Sequence, residues 1–109
     1  MAMEDPDQLG LLRPSPSPLP LELPANGRLE LTARDPARNI NRRYAIEASV
    51  DLFGAHLVET SWGRAGTWGQ SRRFAYESAA EAARAVTCHL RRRARAPRRI
   101  GVPYVVVGQ

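Results

Sequence analysis

From residue 28 onward, apolar and polar side chains alternate in short runs separated by turn residues, the period-two pattern of half-buried strands. Leu29-Glu30-Leu31-Thr32 is the first run, and Asp35-Pro36-Ala37-Arg38-Asn39 has the composition of a turn. Arg43 to Leu52 is the clearest strand. Its Tyr44, Ile46, Ala48 and Val50 fall on one face, and Arg43, Glu47, Ser49 and Asp51 on the other. Phe53-Gly54-Ala55 supplies a reversal, His56 to Arg64 the next strand, Gly66 to Gln70 a glycine-rich turn, and Ser71 to Tyr76 a further strand. Such short connections predict an antiparallel meander.

The period then changes from two to that of a helix. Ser78-Ala79-Ala80-Glu81 matches a capping box, in which Ser78 and Glu81 satisfy each other's free backbone N–H groups. Ala79, Ala83, Val86 and Leu90 share one stripe suited to pack on a sheet, with Arg84, Cys88, Arg91 and Arg95 roughly opposite. Pro97 is expected to end the helix. Tyr104-Val105-Val106-Val107 is apolar and β-branched, and predicts a last strand. The expected fold class is α+β: a small antiparallel sheet of four to five strands with one helix packed across a face.

Residues 1–27 read differently. Pro14, Pro16, Pro18, Pro20 and Pro24 remove backbone donors and favour extended conformation, and no periodic apolar face is present. This stretch is expected to be a disordered proline-rich tail, a spacer rather than a ligand for a proline-recognition domain, with residues 28–109 forming the domain.

Charge sharpens the division. All sixteen basic side chains are Arg. Residues 1–27 carry a net charge of −3 and residues 28–109 one of +8, and no acid follows Glu81. A basic body with an acid-free C-terminal stretch suits a polyanionic partner, although a merely solvated face fits the same charges. Arg brings a planar fork that binds phosphate bidentately and stacks on bases. The lone Cys88 excludes an internal disulfide and fits a reducing compartment. No apolar run approaches the roughly 18 residues of a membrane span, and the acidic start lacks the pattern of a signal peptide. A cytoplasmic location is expected, and a monomer is favoured.

The most distinctive stretch is Trp62-Gly63-Arg64-Ala65-Gly66-Thr67-Trp68-Gly69-Gln70. Trp offers a π face that stacks on bases or sugars. Arg64, two residues after Trp62, shares its strand face, and the glycines allow a tight turn and close backbone approach. On the residues alone, two roles fit Trp62: part of a stacking surface beside a phosphate fork, or a core residue of a hairpin. A second candidate surface is the cluster Arg91-Arg92-Arg93, Arg95 and Arg98-Arg99. Its phosphate contacts would give affinity without sequence information. Trp62, Gly63, Arg64, Trp68, Arg91, Arg92, Arg95, Arg98 and Arg99 are the candidate nucleic-acid-binding residues.

Trp62-Gly63-Arg64, followed by Gly66 and Gly69-Gln70, resembles the WGR domain family. The resemblance extends through Asp35-Pro36-Ala37-Arg38-Asn39 with Arg43-Tyr44, Phe53-Gly54, and Phe74 with Glu81-Ala82, covering about residues 29 to 95. WGR domains occur in poly(ADP-ribose) polymerases, in molybdate-metabolism-regulator-like proteins and as small stand-alone bacterial proteins. In the polymerases the family's Trp and Arg bind a DNA end, so the resemblance implies that role for Trp62 and Arg64. The chain departs from the family pattern at Trp68, where smaller residues are common, and in the stretched segment Arg98 to Tyr104.

Catalysis is not expected. His56 and Ser61 fall on opposite strand faces, and the adjacent Cys88 and His89 point in different directions on a helix, which disfavours a metal site. Gly63, Gly66 and Gly69 do not form a dinucleotide fingerprint. No cofactor is implied. The sequence therefore predicts a non-catalytic module that binds nucleic acid, DNA above all. A module that docks a partner enzyme through the same face is the alternative.

Overall fold

The computed structural model describes residues 19–107. Five strands form one antiparallel sheet: β1 (Arg28–Asp35), β2 (Ile40–Val50), β3 (His56–Arg64), β4 (Gln70–Tyr76) and β5 (Val105–Val106), in the order β4-β3-β2-β1-β5. The principal helix α1 (Ala79–Ala94) crosses one face, and a four-residue helix α2 (Ala96–Arg99) follows it. The fold is α+β.

Register explains the layering. Tyr44 pairs with Leu31 and Trp62, Ile46 with Leu29 and Thr60, and Val58 with Phe74. Alternation therefore sends these residues to one face, where Leu31, Ile46, Val58 and Leu90 are fully buried. The opposite face carries Arg28, Glu30, Glu47, Glu59 and Arg73, joined by exposed ion pairs. Such solvated pairs contribute about 0–1 kcal/mol each, so stability rests on the helix-covered face.

The turn expected at residues 35–39 is a 3-10 turn over Pro36–Arg38, closed by Asn39 in the left-handed region (φ 57°). The capping box is half as drawn. Ser78 Oγ accepts from Glu81 N–H at 3.1 Å, but the Glu81 carboxylate reaches past Ser78 and accepts from Glu77 N–H at 3.2 Å. Helix α1 stops at Ala94, before Pro97, which sits instead in the first turn of α2. The last strand is short: Val105 and Val106 pair with Thr32 and Leu31.

The helix stripe needs correction. The buried residues of α1 are Ala82, Val86 and Leu90, whereas Ala79 and Ala83 are exposed. Residues 82, 86 and 90 are successive i, i+4 neighbours, and this row faces the sheet.

Residues 19–27, expected within the free tail, make specific contacts. Leu19 and Leu23 pack against the core, Thr87 Oγ1 donates to Leu21 O at 2.9 Å, and Ala48 N–H donates to Gly27 O at 2.8 Å. The chain thus crosses from mid-α1 to the end of β2 before β1 begins. The remainder of the expected tail, residues 1–18, lies outside the described residues.

Candidate nucleic-acid interface

The Trp-Gly-Arg segment closes β3, and a loop over residues 65–69 returns the chain into β4. The structure separates the two indoles. Trp62, opposite Tyr44 and Gln70, lies on the helix-covered face and packs, half-buried, against the core. Trp68 stands on the loop and is 98 % exposed. They do not form a single stacking plate, because Trp62 belongs to a strand covered by the helix while Trp68 belongs to a loop that nothing covers among the described residues.

Two glycines and one arginine fold this loop back. Arg43 opposes Gly63 across the β2–β3 ladder. Its Nε and Nη2 donate to Thr67 O at 3.2 and 2.9 Å, and Nη2 also donates to Trp68 O. Close approach makes the glycines necessary. A Cβ on Gly63 (φ 154°) would stand 2.8 Å from Gly69 Cα, and one on Gly69 (φ 66°) would strike the Trp62 carbonyl oxygen and the Arg43 guanidinium. Thr67 completes the brace: its backbone N–H and its hydroxyl both donate to Arg64 O. Trp68 is held out on a braced loop.

Arg64 is exposed and is held by its guanidinium head. Its Nη1 donates to Asn39 O at 3.2 Å and its Nη2 to Asn39 Oδ1 at 2.9 Å. The neighbouring Arg38 donates from Nε to Asp35 Oδ2 at 2.6 Å and from Nη2 to Gly101 O at 3.0 Å. Arg38 thereby holds the Asp35 carboxyl below the usual carboxylate range. The 3-10 turn thus gathers Arg64 and the segment just after Arg98 and Arg99 around one corner of the domain. Arg98 and Arg99 are exposed there on α2.

The helix arginines divide. Arg91, Arg92 and Arg95 are exposed, and together with Arg84 they border a groove beside α1. Arg93 turns inward, its guanidinium carbon 4.5 Å from the centroid of the Tyr44 ring. Since Tyr44 pairs with Trp62, the C-terminal end of α1 and the Trp-Gly-Arg segment share one end of the sheet. Arg93 serves packing there, whereas the sequence placed it in the phosphate-contacting cluster. Burial, with Arg92 and Arg93 nearby, pushes the pKa of His89 down, and its ring packs 5.5 Å from Phe74.

Arg43 and Asn39 were not among the sequence candidates. The available signal for Asn39 was its place after a Pro-containing turn, and for Arg43 a position on the strand facing a glycine. Neither signal is usable before the register is known.

A five-stranded antiparallel sheet with a helix on one face, a braced indole loop and a rim of arginines defines a small basic α+β binding domain. The chain matches the family model described as WGR domain over residues 27–96, and it belongs to that family. WGR domains are nucleic-acid-binding modules in related proteins, and the family is a binding domain rather than a catalytic one. No curated protein matches the chain. Among the described residues, no helix is long and apolar enough to cross a membrane, and no three His, Cys, Asp or Glu side chains are grouped to hold a metal ion.

Proposed function

We propose that this domain is a non-catalytic module that binds DNA at ends, nicks or other structured features. The observation that carries the reading is Trp68, almost fully exposed on a loop clamped by Arg43. A loop braced in place loses little backbone freedom on binding, and only a terminus or nick bares a base or sugar face for its indole to stack on. Arg64, Arg98 and Arg99 around the 3-10 turn, with Arg91, Arg92 and Arg95 along the helix, supply phosphate contacts. Trp62 and Gly63 shape the strand that carries the loop. The reading needs no cofactor or metal, and places the protein in the cytoplasm, where its single thiol stays reduced.

The test is fluorescence anisotropy with blunt, nicked and covalently closed DNA of the same sequence. Trp68→Ala is expected to remain folded and to weaken binding to the blunt and nicked forms about ten- to a hundredfold, the equivalent of one lost stacking contact of about 1–3 kcal/mol. Its affinity for closed DNA should change little. A folded Trp68→Ala variant that binds all three forms as the parent does removes the reading.

A second reading, docking of a partner protein, is favoured by a different observation. Leu52 and Phe53 are 99 % and 93 % exposed at the β2–β3 hairpin tip, where Asp51 Oδ1 accepts from the N–H groups of Phe53 and Ala55. This tip is at the opposite end of β3 from Trp68. Protein docking through it is compatible with DNA binding at the other end.

A further inference from the structure

Beside α1 runs a groove of about 1170 Å³, walled by the helix on one side and by the β2–β3 hairpin with Glu22 and Leu23 on the other. Its apolar lining includes Leu23, Val50, Leu57 and Val86. Its helix bank carries Arg84, Arg91, Arg92 and Arg95, none of which forms an ion pair among the described residues. The volume exceeds the roughly 300–1,000 Å³ of a small-molecule pocket and suits a length of polypeptide. An occupant that fits must bring both leucine-like side chains and negative charge.

We propose that the groove is the docking site of the chain's own segment Glu4–Leu12, which occupies it in cis and covers Arg91, Arg92 and Arg95. The segment reads Glu-Asp-Pro-Asp-Gln-Leu-Gly-Leu-Leu: three acids, no base, then Leu9, Leu11 and Leu12. Its charge complements the arginine bank, and its leucines complement the apolar lining. The leash fits too. Leu21 is tied to Thr87, which itself lines the groove, so the chain leaves the folded body at the groove's own wall. Seven steps separate Leu12 from Leu19, with Pro14, Pro16 and Pro18 between them. At about 3.1 Å per residue in extended conformation they span roughly 22 Å. The stretch of α1 from Arg84 to Arg95 is only about 16 Å long at 1.5 Å per residue, so either end of the groove is within reach.

Tethering supplies the affinity. A short leash gives an effective concentration in the millimolar range, enough to fill a site of submillimolar intrinsic affinity most of the time. Segment and DNA phosphates then contend for the same three arginines. That competition rests on the DNA-binding reading; the docking itself does not.

Cys88 lines the groove, is exposed and is the only cysteine in the chain, so its alkylation by the neutral reagent N-ethylmaleimide reports coverage of the full-length protein. Two triple variants are compared with the parent: Leu9→Ser with Leu11→Ser and Leu12→Ser, and Glu4→Gln with Asp5→Asn and Asp7→Asn. All six changes lie outside the described fold. Each variant is expected to react about threefold faster or more, as a mostly closed groove opens, with the parent rate independent of protein concentration. Equal rates in all three proteins overturn the proposal. Protection that grows with protein concentration also overturns it, because the occupant is then a second copy. The same variants should bind blunt DNA about three- to tenfold more tightly at low salt. Faster alkylation with unchanged DNA affinity keeps the docking and removes the competition. Loss of DNA binding in every protein sinks the DNA reading while the thiol rates still decide the docking.

Discussion

Arg93 lies over the ring of Tyr44, 4.5 Å from its centroid, while its neighbours Arg91, Arg92 and Arg95 face outward. Arginines in one run thus do two jobs. Arg93→Ala is expected to destabilise the domain by about 0.5–2 kcal/mol through the lost cation–π contact and stem packing. Arg91→Gln with Arg95→Gln should leave the melt unchanged. In the binding assay the pair should make the slope of log affinity against log salt shallower by up to about two, since each engaged phosphate contributes about −0.9. Thermal melts and a salt titration separate the two roles, and an Arg93→Ala melt equal to the parent's refutes the packing assignment.

Ala82 and Ala83 are adjacent but face different surroundings. Ala82→Asp places an unpaired carboxylate against the sheet and is expected to cost about 2–3 kcal/mol. Ala83→Asp is exposed on the groove side and should stay within about 0.5 kcal/mol. Chemical denaturation of both proteins checks the helix rotation directly, and equal losses would mean that the face is misassigned.

Gly69→Ala tests the brace under Trp68. Its left-handed backbone and the contact a Cβ would make with the Trp62 carbonyl force the loop to shift. A stability loss of about 1–3 kcal/mol is expected. DNA-end binding should fall as far as in Trp68→Ala, although the indole is still present. Full binding by Gly69→Ala would show that the loop's pose is irrelevant.

His89 makes stability depend on pH. Burial against Phe74, with Arg92 and Arg93 close by, lowers its pKa from the ordinary 6.5. The unfolded chain therefore takes up the proton first. The stabilisation is complete above about pH 6.5 and is lost as pH falls below that value, until the folded state is protonated as well. Melts from pH 8 to 5 should show this decline in the parent, and His89→Gln should flatten it.

The strands and the helix were legible because each side of the sheet has its own chemistry. Alternation in residues 43–50 and 56–64 fixes the side-chain faces whatever packs on them. The capping residue Ser78 marks the start of α1 by local hydrogen bonding alone. The helix rotation was not legible: alanines at 79, 80, 82, 83 and 85 leave the apolar stripe free to be drawn through either row, and only contact with the sheet selects 82, 86 and 90. The packing of Leu19 and Leu23 was hidden for a similar reason, since isolated leucines among prolines have no period from which a face can be read.

By itself the sequence determined the strands and the principal helix, their order, the turn residues and the Trp-Gly-Arg segment, because propensity, alternation and capping act between near neighbours; the short helix at Pro97 was not among them. Tertiary structure decided what each of these side chains does. Trp62 is half-buried because the helix Ala79–Ala94 covers its face, and Trp68 is bare because Arg43, from another strand, holds its loop away from the core. Arg93 packs and Arg91 faces solvent because the rotation of α1 is set by Ala82, Val86 and Leu90 against the sheet. Those contacts join residues distant along the chain, and their energies exist only once the layers meet.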